Sequence, residues 1–140
     1  MNILKKINKK ETALLLQRVS IGGLILFHGI ANLTTNYSFI KSLLSSIGIP
    51  EFIAYSVFIG EIIAPILIII GWKTRLASFV LAFNMLIAIL MAHSGDIFAL
   101  NKFGGWAIEL QGLYLFGAIV IYLSGAGKYA LSNSTLINSK

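Results

Sequence analysis

Seven side chains in this sequence stand where apolar residues would be expected, and together they could do chemistry. Arg18, His28, Glu61, Asn84, Glu109 and Gln111 lie within long apolar runs, and His93 sits at the end of one. An ionisable group in a helix surrounded by hydrocarbon costs on the order of 3 kcal/mol unless it meets a partner or water, so each demands a reason. An imidazole near a carboxylate can pass a proton or hold the polar head of a ligand by hydrogen bonds. Two buried carboxylates could instead hold a proton or a cation. Histidines on separate helices also raise a bis-histidine haem, but two in 140 residues are thin grounds and haem is not expected.

The chain carries no electron carrier of its own. With no cysteine there is no disulfide relay, thiolate metal site or iron–sulfur cluster. No glycine fingerprint for a dinucleotide follows a strand. The expectation is therefore no metal and no intrinsic cofactor, with a quinone as the ligand best suited to histidine and carboxylate. Reducing a quinone takes two protons, which those groups can deliver, and electrons that a partner would have to supply.

The elements that position these residues follow from composition. Hydrophobic residues make up 57% of the chain and charged ones 11%, with a mean hydropathy of +0.87. Soluble domains carry about a quarter charged residues, so a water-soluble globule is excluded. The net charge of +6 comes from basic residues placed between apolar runs. They suit anionic lipid headgroups rather than nucleic acid.

A spanning helix needs about 20 mostly apolar residues. Four stretches qualify, at about 12–31, 52–70, 76–92 and 105–123. They predict one all-α domain over 1–140, a four-transmembrane-helix bundle. Pro50 precedes the second span, Thr74 is placed to N-cap the third, and Gly125 and Gly127 close the fourth. The basic start resembles a secretory signal, but Arg18 interrupts it and no small-residue cleavage site follows, so an uncleaved first helix is expected. Lysine and arginine are concentrated in the N-terminal tail (Lys5, Lys6, Lys9, Lys10), the link between spans two and three (Lys73, Arg75) and the C-terminal tail (Lys128, Lys140). The positive-inside rule then puts both termini in the cytoplasm. In the long first outer loop, Phe39, Ile40, Leu43, Leu44 and Ile47 recur at helical spacing, which predicts a short helix lying in the interface.

With that orientation His28, Glu61, Asn84, His93 and Glu109 fall in the outer half, and Arg18 and Arg75 in the inner half. Arg18, Gly22, Ile25, Gly29 and Asn32 share one helical stripe. Ala54, Val57, Glu61 and Ala64 share a second, Ala77, Leu81, Asn84, Ala88 and Ala92 a third, and Glu109, Gly112 and Phe116 a fourth. Small residues beside each polar one suit close packing in lipid, so the polar groups should face inward. Gln111 lies almost opposite Glu109, the side a second protomer would cover. Pro65 withdraws the helical donor from the Glu61 carbonyl and should kink the span there. Plainer roles stand beside these: Arg18 as a snorkelling anchor, Lys73 and Arg75 as topology determinants, His93 as an interfacial residue. The carboxylates could equally serve as a bundle-fixing Arg18–Glu61 or His28–Glu109 bridge.

Several of these residues form a recognisable set. Arg18, Gly22 and Phe27-His28-Gly29; Gly60-Glu61; Gly71 with Thr74-Arg75; Gly104-Gly105 with Glu109; and the run from Gly125 to Ser132 resemble, in order and spacing, the DoxX family of small bacterial membrane proteins. The resemblance covers about Gln17 to Ser132. Asn32 stands where the family often has lysine, and Lys128 where it has arginine. The resemblance implies a four-helix protein of the bacterial inner membrane, in a family named for a quinol oxidase subunit. Relatives are linked with thiosulfate:quinone oxidoreduction and with membrane complexes that handle oxidative stress.

Together these readings give an accessory subunit of a quinone-linked redox system, with redox partner proteins in the bilayer and a polar cluster of His28, Glu61, Asn84, Glu109 and Arg18. A small oligomeric transporter working through Glu61 and Glu109 is the alternative, and a purely structural subunit is the other.

Overall fold

The computed structural model describes residues 8–132. Lys5, Lys6 and Lys140, which enter the charge balance, lie outside the described residues. Helix α1 spans Lys9–Thr34 and opens on Asn8, whose side chain accepts the Glu11 N–H. A short α2, Ser38–Ser46, follows. The second long helix, Glu51–Ile70, is composite. It starts as a tight 3₁₀ turn (Glu51–Ser56), widens into a π-turn (Ile59–Ile63) and ends as α3 (Ala64–Ile70). Helix α4 is Thr74–Ala92 and α5 is Glu109–Ser124.

Three of these helices, Lys9–Thr34, Glu51–Ile70 and Thr74–Ala92, are long and apolar enough to cross a membrane. The fourth apolar helix is shorter than its expected range of 105–123, at 16 residues. The cause is the loop before it. Asn101 accepts the N–H groups of Phe103 and Gly105 on its side chain, Gly104 takes φ +84°, and Trp106 donates to the Ile97 carbonyl at 2.7 Å. That folded loop holds the backbone out of the helix until Glu109.

Helices α1, α3, α4 and α5 enclose a core of Ile25, Ile68, Leu81, Tyr114, Ala118 and Ile121, with smaller residues between them. Large apolar side chains such as Leu16, Phe27, Phe79, Phe83, Leu113 and Phe116 are exposed on the perimeter, as lipid contact requires. Glycines set the spacing between helices. A Cβ on Gly22 would stand 2.9 Å from the Pro65 carbonyl oxygen, and one on Gly29 would collide with the carbonyl of Glu61. Likewise, a Cβ on Gly60 would stand 2.6 Å from the Asn84 side chain. In lipid, where water drives no helix association, such close backbone approaches carry the packing.

The expected stripe on α1 is the buried one: Arg18, Gly22, Ile25 and Gly29. The short helix expected in the first long loop is α2, which seats Leu44 against Tyr37 and Ala54. The stripe expected on α5 is corrected. Its buried face is Gly112, Tyr114, Gly117, Ala118 and Ile121, whereas Glu109 and Phe116 are exposed. The expected N-cap at Thr74 is also corrected. Lys73 holds the cap position in a left-handed conformation (φ 47°), and no side chain caps the helix.

Candidate functional site

The π-turn and Pro65 place Glu61. A proline at the first turn of α3 cannot donate to the turn before it. The backbone there widens, and the Ala64 N–H reaches back five residues to the Ile59 carbonyl. Such single widened turns recur at functional sites in helices. Here it turns Glu61 into the bundle, where the residue is 8% exposed. The Glu61 carboxylate accepts a hydrogen bond of 2.6 Å from the Asn32 amide on α1.

Beside this pair opens a cavity of about 260 Å³. Its polar lining is His28, Asn32, Glu61, His93, Gln111 and Tyr114, and Phe39 and Ile40 of α2 close one side. The His28 ring stands edge-on to Tyr114 with centroids 5.7 Å apart. At the rim a second group forms. His93 Nδ1 lies 3.3 Å from an Asp96 carboxylate oxygen and its Nε2 lies 3.2 Å from Gln111 Nε2. A neutral imidazole satisfies both contacts, with Nδ1–H donating to Asp96 and Nε2 accepting from the Gln111 amide. Asp96 is exposed, so this chain runs from the surface into the cavity.

The expected cluster is brought together only in part. His28 and Glu61 share the cavity. Asn84 also approaches Glu61, but it lines a separate groove between Gly60 and Met91. Glu109 does not join them. It is exposed in the first turn of α5 and folds back over Gly105, whose added Cβ would stand 2.6 Å from Glu109 Oε2. A carboxylate at a helix N-terminus is favoured by the helix dipole, which suits the exposed place it takes. Gln111, expected on the outer side, faces the cavity instead. The two are nearly opposite on one helix, so only one could turn inward.

Arg18 is far from this cavity, about two turns of helix beyond Glu61. It is 1% exposed, and its guanidinium donates to the carbonyls of Ile68 and Ile69, each at 3.1 Å, and to that of Tyr129. It is thus neither a snorkelling anchor nor a partner of Glu61. Its charge sits on the carbonyl end of α3, the negative end of the helix dipole. The basic–acidic side-chain contact found among the described residues is His93–Asp96, so the expected Arg18–Glu61 and His28–Glu109 bridges are absent there. No group of three or more metal-ligating side chains occurs among the described residues.

Asn32, Tyr114 and Asp96 complete the site, and His93 and Gln111, two of the seven polar residues, join it although the expected cluster did not include them. The i, i+3 spacing of His93 and Asp96 was the available signal for Asp96. Nothing local marks Tyr114, which reads as an ordinary core aromatic until α5 is packed.

These helices and the cavity between them define a small membrane-embedded helical bundle with a polar site beneath a short surface helix. The DoxX family model matches residues 13–94, more than half of the chain. The chain belongs to the DoxX family. The match runs from α1 through α4, whereas the cavity wall contributed by Gln111 and Tyr114 lies beyond it. No curated protein and no solved structure matches the chain.

Proposed function

We propose that this protein is an accessory subunit of a membrane redox system and binds the head group of a quinone in the cavity beside Glu61. The observation that carries the reading is the division of donors and acceptors around one small space. A buried carboxylate held by Asn32 lies on one side, and an imidazole linked to exposed Asp96 lies on the other. Two-electron reduction of a quinone adds one proton to each of its two carbonyl oxygens, and the carboxyl and imidazole groups stand where protons taken up from outside could be relayed to them. The volume of about 260 Å³ is just under the ~300–1,000 Å³ of whole small-molecule sites. It suits a ring whose isoprenoid tail leaves between the helices into lipid. Electrons come from a partner protein, since the chain has no cysteine and no dinucleotide fingerprint.

In this reading α5 completes a fourth span, the cavity opens toward the outer leaflet of a bacterial inner membrane, and both termini are cytoplasmic. The absence of cysteine makes this easy to check. A membrane-impermeant maleimide should label a Ser94→Cys variant in intact cells and a Lys128→Cys variant only after permeabilisation.

The direct test is extraction in mild detergent, followed by mass spectrometry of co-purifying quinones. The wild type should retain close to one quinone per chain, and a folded Glu61→Gln variant should lose most of it. A folded wild type with no quinone and no affinity for a short-chain ubiquinone analogue overturns the reading. The broken helix that carries Glu61 also resembles the interrupted helices at transporter sites. Proton flux in proteoliposomes that Glu61→Gln abolishes would favour that alternative.

A further inference from the structure

A second cavity, of about 580 Å³, lies at the other end of the bundle. Helix α4 runs between the two cavities, with Ala92 and His93 at the first and Lys73, Thr74 and Arg75 at the second. The helix's 19 residues span about 28 Å from one end to the other. Two motifs meet here that the quinone reading leaves unused: Thr74-Arg75, and the glycine turn of Gly125 and Gly127.

We propose that this second cavity binds a phosphate group, through Lys73, Thr74, Arg75 and the N-terminus of α4. The first intrahelical bond of α4 is made by the Ala77 N–H to the Lys73 carbonyl, at 3.0 Å. The N–H groups of Thr74, Arg75 and Leu76 precede it and have no acceptor within the helix, and no side chain caps them. Unspent N–H groups at the positive end of a helix dipole form a ready anion site. The side chains point the same way. Thr74 is 4% exposed, lines the cavity, and its hydroxyl has no hydrogen-bond partner among the described residues. A phosphate oxygen would accept from it.

Lys73 and Arg75 supply two positive charges, and both are exposed. The Arg75 guanidinium nitrogens lie 3.6 Å from where a Cβ on Gly125 would stand. A glycine with φ +80° at that point leaves the guanidinium room beside the backbone. Among the described residues no carboxylate lines the cavity. The nearby Glu11 is engaged beyond Gly127, where it accepts the Lys128 N–H at 2.6 Å. Exposed Trp72 next to the site is the kind of aromatic found at headgroup depth. A phospholipid headgroup and free inorganic phosphate share the chemistry that would be recognised.

Native mass spectrometry of the intact protein in detergent can separate these sources. Dioleoyl phosphatidylglycerol is titrated against dioleoylglycerol, which has the same tails and no phosphate, and inorganic phosphate is added in a second arm at constant ionic strength. A preference of about tenfold or more for the phosphatidylglycerol, lost in K73Q/R75Q, assigns the site to a lipid headgroup. Saturable binding of inorganic phosphate, with no lipid preference and loss in the same variant, assigns it to free phosphate. The exposed single variant Lys73→Gln should weaken binding by a smaller factor and leaves the folding of α4 in place as a control. No preference for either phosphate-bearing probe, or one that persists in both K73Q/R75Q and Thr74→Val, overturns the proposal.

Discussion

The Glu61 carboxylate is held by the amide of Asn32, 2.6 Å away on a neighbouring helix. A neutral donor therefore holds the acid, and among the described residues no ion pair neutralises it directly. The bond ties α1 to the widened turn of the second long helix at the level of the cavity.

Removing that donor should be felt in stability as well as in binding. Hydrogen bonds to charged groups contribute about 1.5–3 kcal/mol, so Asn32→Ala should lower stability by roughly that amount. Thermal unfolding in detergent would show it, and Asn32→Asp, which opposes two carboxylates, should be worse still. An Asn32→Ala variant as stable as the wild type would mean that the bond is not made.

Arg18 should prove to be structural. Its guanidinium serves carbonyls of Ile68, Ile69 and Tyr129 from two directions. A lysine has no planar fork to do the same. Arg18→Met should leave several buried acceptors unpaired and destabilise by about 3 kcal/mol or more, with Arg18→Lys recovering only part. Yield and melting temperature would move, while the quinone retained per folded molecule should not.

Glycine substitutions on α1 should divide by face. Gly29→Ala drives a methyl group into the Glu61 backbone and should cost about 1–3 kcal/mol. Gly23→Ala meets nothing within 4 Å and should be neutral or stabilising by up to about 1 kcal/mol, through helix propensity alone. Equal effects at the two positions would contradict the packing of α1 on the second long helix.

The exchange of Gln111 for Glu109 as the inward-facing residue of α5 is open to direct comparison. Gln111→Leu should weaken ligand retention by about tenfold, because it removes a cavity amide and frees His93. Glu109→Gln, on the exposed side, should change retention less than about twofold. Ligand retained per folded chain, measured side by side, decides between them.

Tyr37 gives a pH dependence. Burial, then the negative charge of Glu61, then Tyr55, push its phenol above the ordinary value near 10. The neutral form is favoured in the fold, so its contribution is fully present below pH 10 and fades as pH rises from there through the raised value. Its hydroxyl is buried without a partner among the described residues. Tyr37→Phe should therefore match or exceed wild-type stability at neutral pH by up to about 1 kcal/mol and flatten the alkaline decline. Unfolding midpoints between neutral and alkaline pH would check both.

Composition and apolar run length determined that this is a membrane protein built from helices, because hydrocarbon admits few charges and no unpaired backbone. Helical periodicity determined the buried face of α1, where arginine and two glycines fall on one stripe. It also foresaw α2, whose apolar residues repeat at a single helical period. The tertiary structure decided what periodicity leaves open. Glu109 and Gln111 are almost opposite on one helix, and both rotations of α5 satisfy its sequence. Packing of Tyr114, Gly117 and Ala118 against the other helices selects the one that turns Gln111 inward. Arg18 carries the same ambiguity: its type predicts a charge in need of partners, but those partners are backbone carbonyls some fifty and a hundred and eleven residues away. Every residue has such carbonyls, so no side-chain pattern in the sequence announces which ones a folded chain will bring to an arginine.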